Sequence, residues 1–149
     1  MESEYLNLLR LFHAERVEYV VVGGYAVIAH GFPRTTGDID ILVRPTATNA
    51  GRVVRALVRY GFTKGEFEEI DFTTTPNFLS FSRQDVWIDL MTQLAGVTFE
   101  ECAADTLVVE TDSIPVRYIN LGALRKAKTA TSRPQDLQDL TNLPPAPIS

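Results

Sequence analysis

The chain has 149 residues, 45% of them apolar and 22% charged, with a formal net charge of −5, and that length suits one compact domain with a buried core. No apolar run approaches the about 18 residues that a membrane-spanning helix needs, and the single cysteine, Cys102, excludes an intramolecular disulfide and a Cys-rich zinc site. The acidic balance argues against broad, nonspecific binding to nucleic acid, which relies on Lys and Arg against phosphate.

The N-terminal MESEYLNLLRLFHAERVEY is acidic and amphipathic, with Leu6, Leu9 and Phe12 or His13 near one face, and reads as a helix. It has neither the cationic start nor the apolar stretch of a secretory signal, so a cytoplasmic location is expected. VEYVVVGG is a short β-branched run ending in glycine, the pattern of a buried strand. GYAVIAHG follows as a short helix, closed by Gly31 and stopped by Pro33. DIDILVR is a second strand, stopped at Pro45. PTATNAGRVVRALVRYGF opens with hydroxyl residues able to cap, carries Val53, Val54, Leu57 and Val58 on one side, and ends at Gly61 as a helix should. Arg52, Arg55 and Arg59 recur in it at helical spacing, as a solvated face or as a local basic stripe.

The stretch through GEFEEIDFTTTP reads as weak strand with threonine-rich turns. NFLSFSRQDVWIDLMT reads as two strands about a turn at Arg83-Gln84-Asp85, and TLVVETDSIPVRYI as another pair about Thr111-Asp112-Ser113. LGALRKAKTA and RPQDLQDLTNL are helical, the second with Pro134 just inside its start. The expected organisation is one α/β (α+β) domain over residues 1–143, a mixed sheet with flanking helices, followed by a tail over 144–149.

Aspartate is a poor strand residue, yet Asp38 and Asp40 stand two apart in the otherwise apolar DIDILV. Residues i and i+2 of a strand share a face, so the two carboxylates project together while Ile39 and Ile41 face the other way. Two carboxylates so close repel and raise each other's pKa unless something positive lies between them. A hard divalent cation such as Mg²⁺ supplies that charge, taking one or two carboxylates and filling its shell with water and phosphate oxygens. Asp89 in DVWIDLMT is a third acid in an apolar strand, on the face it shares with Trp87 and Met91. If its strand lies beside Asp38-Ile39-Asp40, three acids converge, enough to hold two metals about 4 Å apart for phosphoryl transfer. Trp87 either stacks a base or fills the core, and the core is the expected place.

Gly23-Gly24 stands between a strand and a helix, 14 residues before Asp38, where backbone can approach a ligand closely. It is neither a Walker loop nor a GxGxxG fingerprint. Arg34, Thr35 and Thr36 occupy the loop between the glycines and the acids, exposed or in contact with phosphate. His13 and His30 are read as packing or surface residues, Asp136 and Asp139 as caps or ion-pair partners, and Cys102 as a small structural residue.

Taken together, VGGYAVIAHGFPRTTGDIDILV, DVWIDLM and LRKAKTATSRPQDLQDL resemble the polymerase-beta-like nucleotidyltransferase superfamily. The form of the first stretch is similar to a small bacterial branch that contains abortive-infection and toxin–antitoxin nucleotidyltransferases. The resemblance implies that Gly23 and Gly24, with Arg34 and Thr36 nearby, hold the triphosphate of an NTP. It implies that Asp38 and Asp40 bind Mg²⁺, one ion or two, and that Asp89 completes the site and activates the attacking hydroxyl. Lys128 and Arg133 approach the nucleotide under the same reading, or sit on a solvated helix. The acceptor is then a small molecule, an RNA or a protein, bound on an open face or across a homodimer. A role that runs mainly through a toxin–antitoxin protein partner, with nucleotide bound but not transferred, is the other implied function.

Overall fold

The β-branched run Tyr19–Val22 forms β1, near the centre of a six-stranded sheet in the order β3-β4-β2-β1-β6-β5. The computed structural model describes residues 1–146. In chain order the elements are α1 (Ser3–Ala14), β1, α2 (Gly23–Ala29), β2 (Asp38–Val43), α3 (Ala47–Tyr60), β3 (Phe78–Arg83) and β4 (Val86–Met91). Then come α4 (Phe99–Ala103), β5 (Leu107–Thr111), β6 (Ile114–Tyr118), α5 (Leu121–Thr131) and α6 (Pro134–Asn142). The sheet is mixed: β2 runs parallel to β4, β1 runs parallel to β6, and the remaining neighbours are antiparallel.

Local chemistry sets most boundaries. Thr46 Oγ1 accepts the Asn49 amide at 3.3 Å and caps α3, which ends where Gly61 takes a φ of +126°. Pro134 is the first residue of α6, where its missing N–H removes nothing. Gln84 and Asp85 take φ values of +51° and +66°, the two-residue turn that matches the twist of a hairpin. That turn pairs Arg83 with Val86 and therefore Ser80 with Asp89.

One face of the sheet is core. Ile39, Ile41, Val43, Ile88 and Leu90 are fully buried on it, each contributing about 1.5–3 kcal/mol by leaving water. Phe12 of α1 packs on Tyr19 with ring centroids 5.7 Å apart, and Phe62, just past α3, packs on Phe81 at 4.8 Å. These contacts place α1 and α3 over that face. The opposite face carries Asp38, Asp40 and Asp89.

Three expectations change. The stretch before Pro76 is not strand: it is irregular chain with a single 3₁₀ turn at Glu69–Phe72, whose Phe72 is buried in the core. Trp87 is not core but half exposed, because it lies on the Asp38 side of the sheet rather than the isoleucine side. Val58 does not join Val53 and Leu57 inside, being 38% exposed on the outer side of α3. The Arg52, Arg55 and Arg59 face is solvated as expected, Arg55 and Arg59 being more than half exposed while 3.5 and 3.4 Å from Glu15, and Arg52 donates to the Arg16 carbonyl. Residues 147–149 of the expected tail lie outside the described residues, and 144–146 have no regular structure.

Candidate active site

The parallel pairing of β2 with β4 sets Asp40 directly opposite Asp89, with Asp38 one pleat away on the same face. Each of the three offers a carboxylate oxygen, and these oxygens all lie within 4.8 Å of one another. They line an open cleft of about 930 Å³. Asp89 is 7% exposed and the other two are half-buried. Ser80 on β3 donates its hydroxyl to Asp89 Oδ1 at 2.6 Å.

Nothing in the cluster offsets its charge fully. Burial, a hydrogen bond shared with Asp89 and the charges of Asp38 and Asp89 push Asp40 up to about 8, against a partial offset from Lys128. Asp38 is raised by burial and by Asp89, with Arg34 offsetting part. The donor set fits a hard divalent cation: three carboxylates, oxygen ligands only, close enough to share one ion or a pair.

The two glycines are required by close approach. Gly23 sits at a φ of +65°, and a Cβ there would run into the Asp40 carboxylate. A Cβ on Gly24 would stand 2.6 Å from Thr36 Oγ1 and 3.2 Å from Arg34 Nη2. The glycine turn is thus packed against Asp40 on one side and the Arg34–Thr36 loop on the other. Thr36 in turn donates to the Asp38 carbonyl at 3.3 Å.

Across the cleft stands a network of opposite sign. Asp139 is fully buried, accepts a hydrogen bond from Arg34 Nη2 at 3.2 Å, and forms ion pairs with Arg34 Nε at 2.9 Å and Lys128 Nζ at 3.0 Å. Lys128 also reaches Asp136 Oδ1 at 3.1 Å, and Asp136 Oδ2 takes Arg133 Nε at 2.8 Å and the Thr131 hydroxyl at 2.6 Å. The Arg133 amide donates to the same Oδ2, so Asp136 also caps α6. Burial would raise the Asp136 carboxyl, but the bonds from Arg133, Thr131 and Lys128 outweigh it and hold it well below the usual range. Lys128 is therefore no solvated helix residue; it is 8% exposed and doubly paired.

The structure brings Gly23, Gly24, Arg34, Thr36, Asp38, Asp40, Asp89 and Lys128 to one cleft, with Arg133 at its rim. His13 and His30 stay outside it: their Nε2 atoms bond the Tyr19 hydroxyl and the Ile119 carbonyl, each at 2.7 Å. Cys102 is buried, and burial with nearby Glu101 and Glu100 pushes its thiol up to about 12, so it packs rather than reacts. Ser80 and Phe78 escaped the sequence reading. A two-residue turn at Gln84-Asp85 makes paired positions sum to one value, which alone sets Ser80 beside Asp89. The role of Asp139 in joining α5 and α6 to the Arg34 loop has no local signal.

No family model matches the chain, and no curated protein matches it in sequence. Solved structures do. A candidate nucleotidyltransferase from Thermotoga maritima, TM1012, aligns with a TM-score of 0.61 at 18% identity, over 95% of this chain and 92% of its own. The antibiotic-resistance factor ANT(2'')-Ia in its solution structure aligns with a TM-score of 0.58 at 12% identity, over 93% of this chain and 80% of its own. Its crystal structure in complex with adenylyl-2''-tobramycin gives a TM-score of 0.55, covering 92% of this chain and 83% of its own. The chain has the nucleotidyltransferase fold.

Proposed function

We propose that the protein is a Mg²⁺-dependent nucleotidyltransferase, moving a nucleoside monophosphate from an NTP to an acceptor hydroxyl. The observation that carries this reading is the meeting of Asp38, Asp40 and Asp89 within 4.8 Å, beside a glycine turn packed on Asp40. The fold shared with TM1012 and ANT(2'')-Ia supports it. Asp38, Asp40 and Asp89 hold the divalent cation, which supplies positive charge against the phosphates and the transition state. Gly23 and Gly24 let the triphosphate come close to backbone, and Arg34, Thr36 and Lys128 face it from the surrounding walls. Asp89 accepts the proton of the acceptor hydroxyl; the acceptor's oxygen bonds the α-phosphorus, the bond from that phosphorus to the oxygen bridging to the β-phosphate breaks, and pyrophosphate leaves. The Ser80 hydroxyl keeps the Asp89 carboxylate turned into the cleft.

ANT(2'')-Ia is crystallised with an adenylylated tobramycin, a small hydroxylated acceptor, and a small molecule, an RNA or a protein is the acceptor here. A cytoplasmic setting provides both NTP and Mg²⁺. No helix of the described residues is long and apolar enough to cross a membrane.

The test is incubation of the protein with labelled NTPs, Mg²⁺ and cell lysate. Label should appear on one fraction, and its sensitivity to RNase or protease names the acceptor class. The Asp38→Ala, Asp40→Ala double variant should leave no label; label that persists in it rejects the mechanism. Nucleotide bound without transfer, together with a stoichiometric protein that co-purifies, would replace this reading with the toxin–antitoxin partner role.

A further inference from the structure

We propose that the nucleobase of the NTP stacks on Phe78 at the apolar end of the cleft and is held by its ring face alone, so that purine and pyrimidine triphosphates bind alike. The inference rests on the function proposed above and extends it to nucleotide selectivity. Phe78 is 59% exposed although it lines a concave site, and a large apolar ring left open inside a cleft marks a place where a ligand packs.

The cleft has two chemically distinct ends. Gly23, Gly24, Arg34 and Thr36 form the polar one, and Phe78, Met91, Leu94, Leu124 and Ala127 form the other. Phe78 pairs with Met91 across β3 and β4, which puts both side chains on the face that carries Asp89. Leu124 and Ala127 precede Lys128 on the same face of α5 and approach from across the cleft. Met91, Leu124 and Ala127 are buried behind this end of the cleft, so Phe78 and the partly buried Leu94 are the apolar surface it presents.

An NTP whose triphosphate lies at the polar end and whose α-phosphate lies at the carboxylates points its nucleoside toward this surface. Asp89 and Met91 are two residues apart, about 7 Å along the strand, which one ribose spans. Phe78, Leu94, Leu124 and Ala127 have no side-chain hydrogen-bonding group and Met91 only a weakly accepting thioether sulfur, and the polar side chains that flank them are engaged elsewhere. Asn77 accepts the Phe78 amide at 3.0 Å and donates to the Asp71 carbonyl at 2.8 Å. Thr92 donates to the Thr74 carbonyl at 2.7 Å and accepts the Asn77 amide at 2.9 Å. Lys128 is held by Asp136 and Asp139. Asn77, Thr92 and Lys128, the polar side chains that flank these apolar residues, are thus committed to protein partners, whereas every base has a face that an aromatic ring can stack on.

Calorimetry in Mg²⁺ with α,β-methylene analogues of ATP, GTP, CTP and UTP, and with tripolyphosphate, tests this on the wild type, Phe78→Ala and Phe78→Trp. The four analogues should bind the wild type within about fivefold of one another, and Phe78→Ala should weaken all four roughly tenfold, as loss of a base stack does. Tripolyphosphate, which has no base, should bind both forms equally, and Phe78→Trp should restore the analogues. A change under about twofold for the analogues in Phe78→Ala, or a preference above about fiftyfold for one base, overturns the inference. If the analogues and tripolyphosphate bind while Phe78→Ala is silent, the stacking site alone is wrong. If none of them binds the wild type, the nucleotidyltransferase reading falls with it. Circular dichroism checks the fold, and truncating a ring already this exposed should leave it intact.

Discussion

The cleft contains two sets of aspartates with opposite fates. Asp38, Asp40 and Asp89 stand on strands and face mainly one another, while Asp136 and Asp139 stand on α6 and face Arg34, Lys128 and Arg133. Asp40 is pushed up to about 8, and Asp136 is held far below the usual range. Burial acts on both in the same direction, so it is the neighbours that separate them. The paired set is complete without any ligand and braces α5, α6 and the Arg34–Thr36 loop. The unpaired set lacks positive charge, which is the state of a site built to receive a cation.

The sharpest way to break the comparison is to remove a charge from each set. Asp40→Asn should reduce nucleotidyl transfer about 100- to 1000-fold or more, the scale on which removing one group that stabilises transition-state charge acts. In the absence of metal the same change should leave the fold as stable or more so, because it relieves repulsion among three carboxylates. Asp139→Ala should do the reverse to the fold: it strands Lys128 and Arg34 and is expected to destabilise by about 3–5 kcal/mol in urea titration. A destabilisation equal in the two variants, or none in Asp139→Ala, would show that the sets do not differ as described.

The next effect is smaller and depends on pH. A group whose folded pKa is raised gives stability that is present at low pH and lost as pH climbs through the folded value. For Asp40 that loss runs from near its ordinary 3.8 up to about 8. Asp136, whose carboxyl is lowered, acts oppositely: its contribution is present above the ordinary value and lost as pH falls below it. Metal-free protein should therefore show a Tm that declines on both sides of a maximum near the ordinary carboxylate range. Mg²⁺ should restore the alkaline side and leave the acid side unchanged. A Tm flat between these values without Mg²⁺, or an acid side that responds to Mg²⁺, would contradict the assignment of the two limbs.

Much of this was legible in the sequence because strand and turn chemistry are local. The i, i+2 spacing of Asp38 and Asp40, the cap at Thr46 and the stop at Gly61 each follow from a few adjacent residues, as does the hairpin turn, read over Arg83-Gln84-Asp85 although Arg83 belongs to β3 and the turn is Gln84-Asp85. Asp89 was recognisable as an acid in an apolar strand, but its place opposite Asp40 required the non-local pairing of β2 with β4. The period of two puts Trp87 on the same face as Asp89, but that this part of the face is half open rather than covered depends on which elements pack there, which is non-local. The segment before Pro76 failed differently. Its buried Phe72 is held by packing of a 3₁₀ turn against the core, and no periodicity announces a single turn. That Lys128 is not a solvated helix residue has no local signal, because its partners Asp136 and Asp139 lie on another helix.

Ser80 offers the finest discrimination within the unpaired set. Its hydroxyl is 2.6 Å from Asp89 Oδ1, a short bond to a carboxylate, and it comes from the edge strand rather than from the metal-facing residues. A hydroxyl that only filled space would tolerate Ala with no change in rate. One that fixes the carboxylate's orientation should lose roughly tenfold in kcat when removed, as a hydrogen bond to a charged group implies, with KM for the NTP held nearly constant. Ser80→Thr, which keeps the hydroxyl on a strand-compatible side chain, should recover most of that loss. If Ser80→Ala instead raises KM and spares kcat, then Asp89 holds nucleotide in the ground state and does not position the attacking hydroxyl. In that case the proton must go to another acceptor in the cleft.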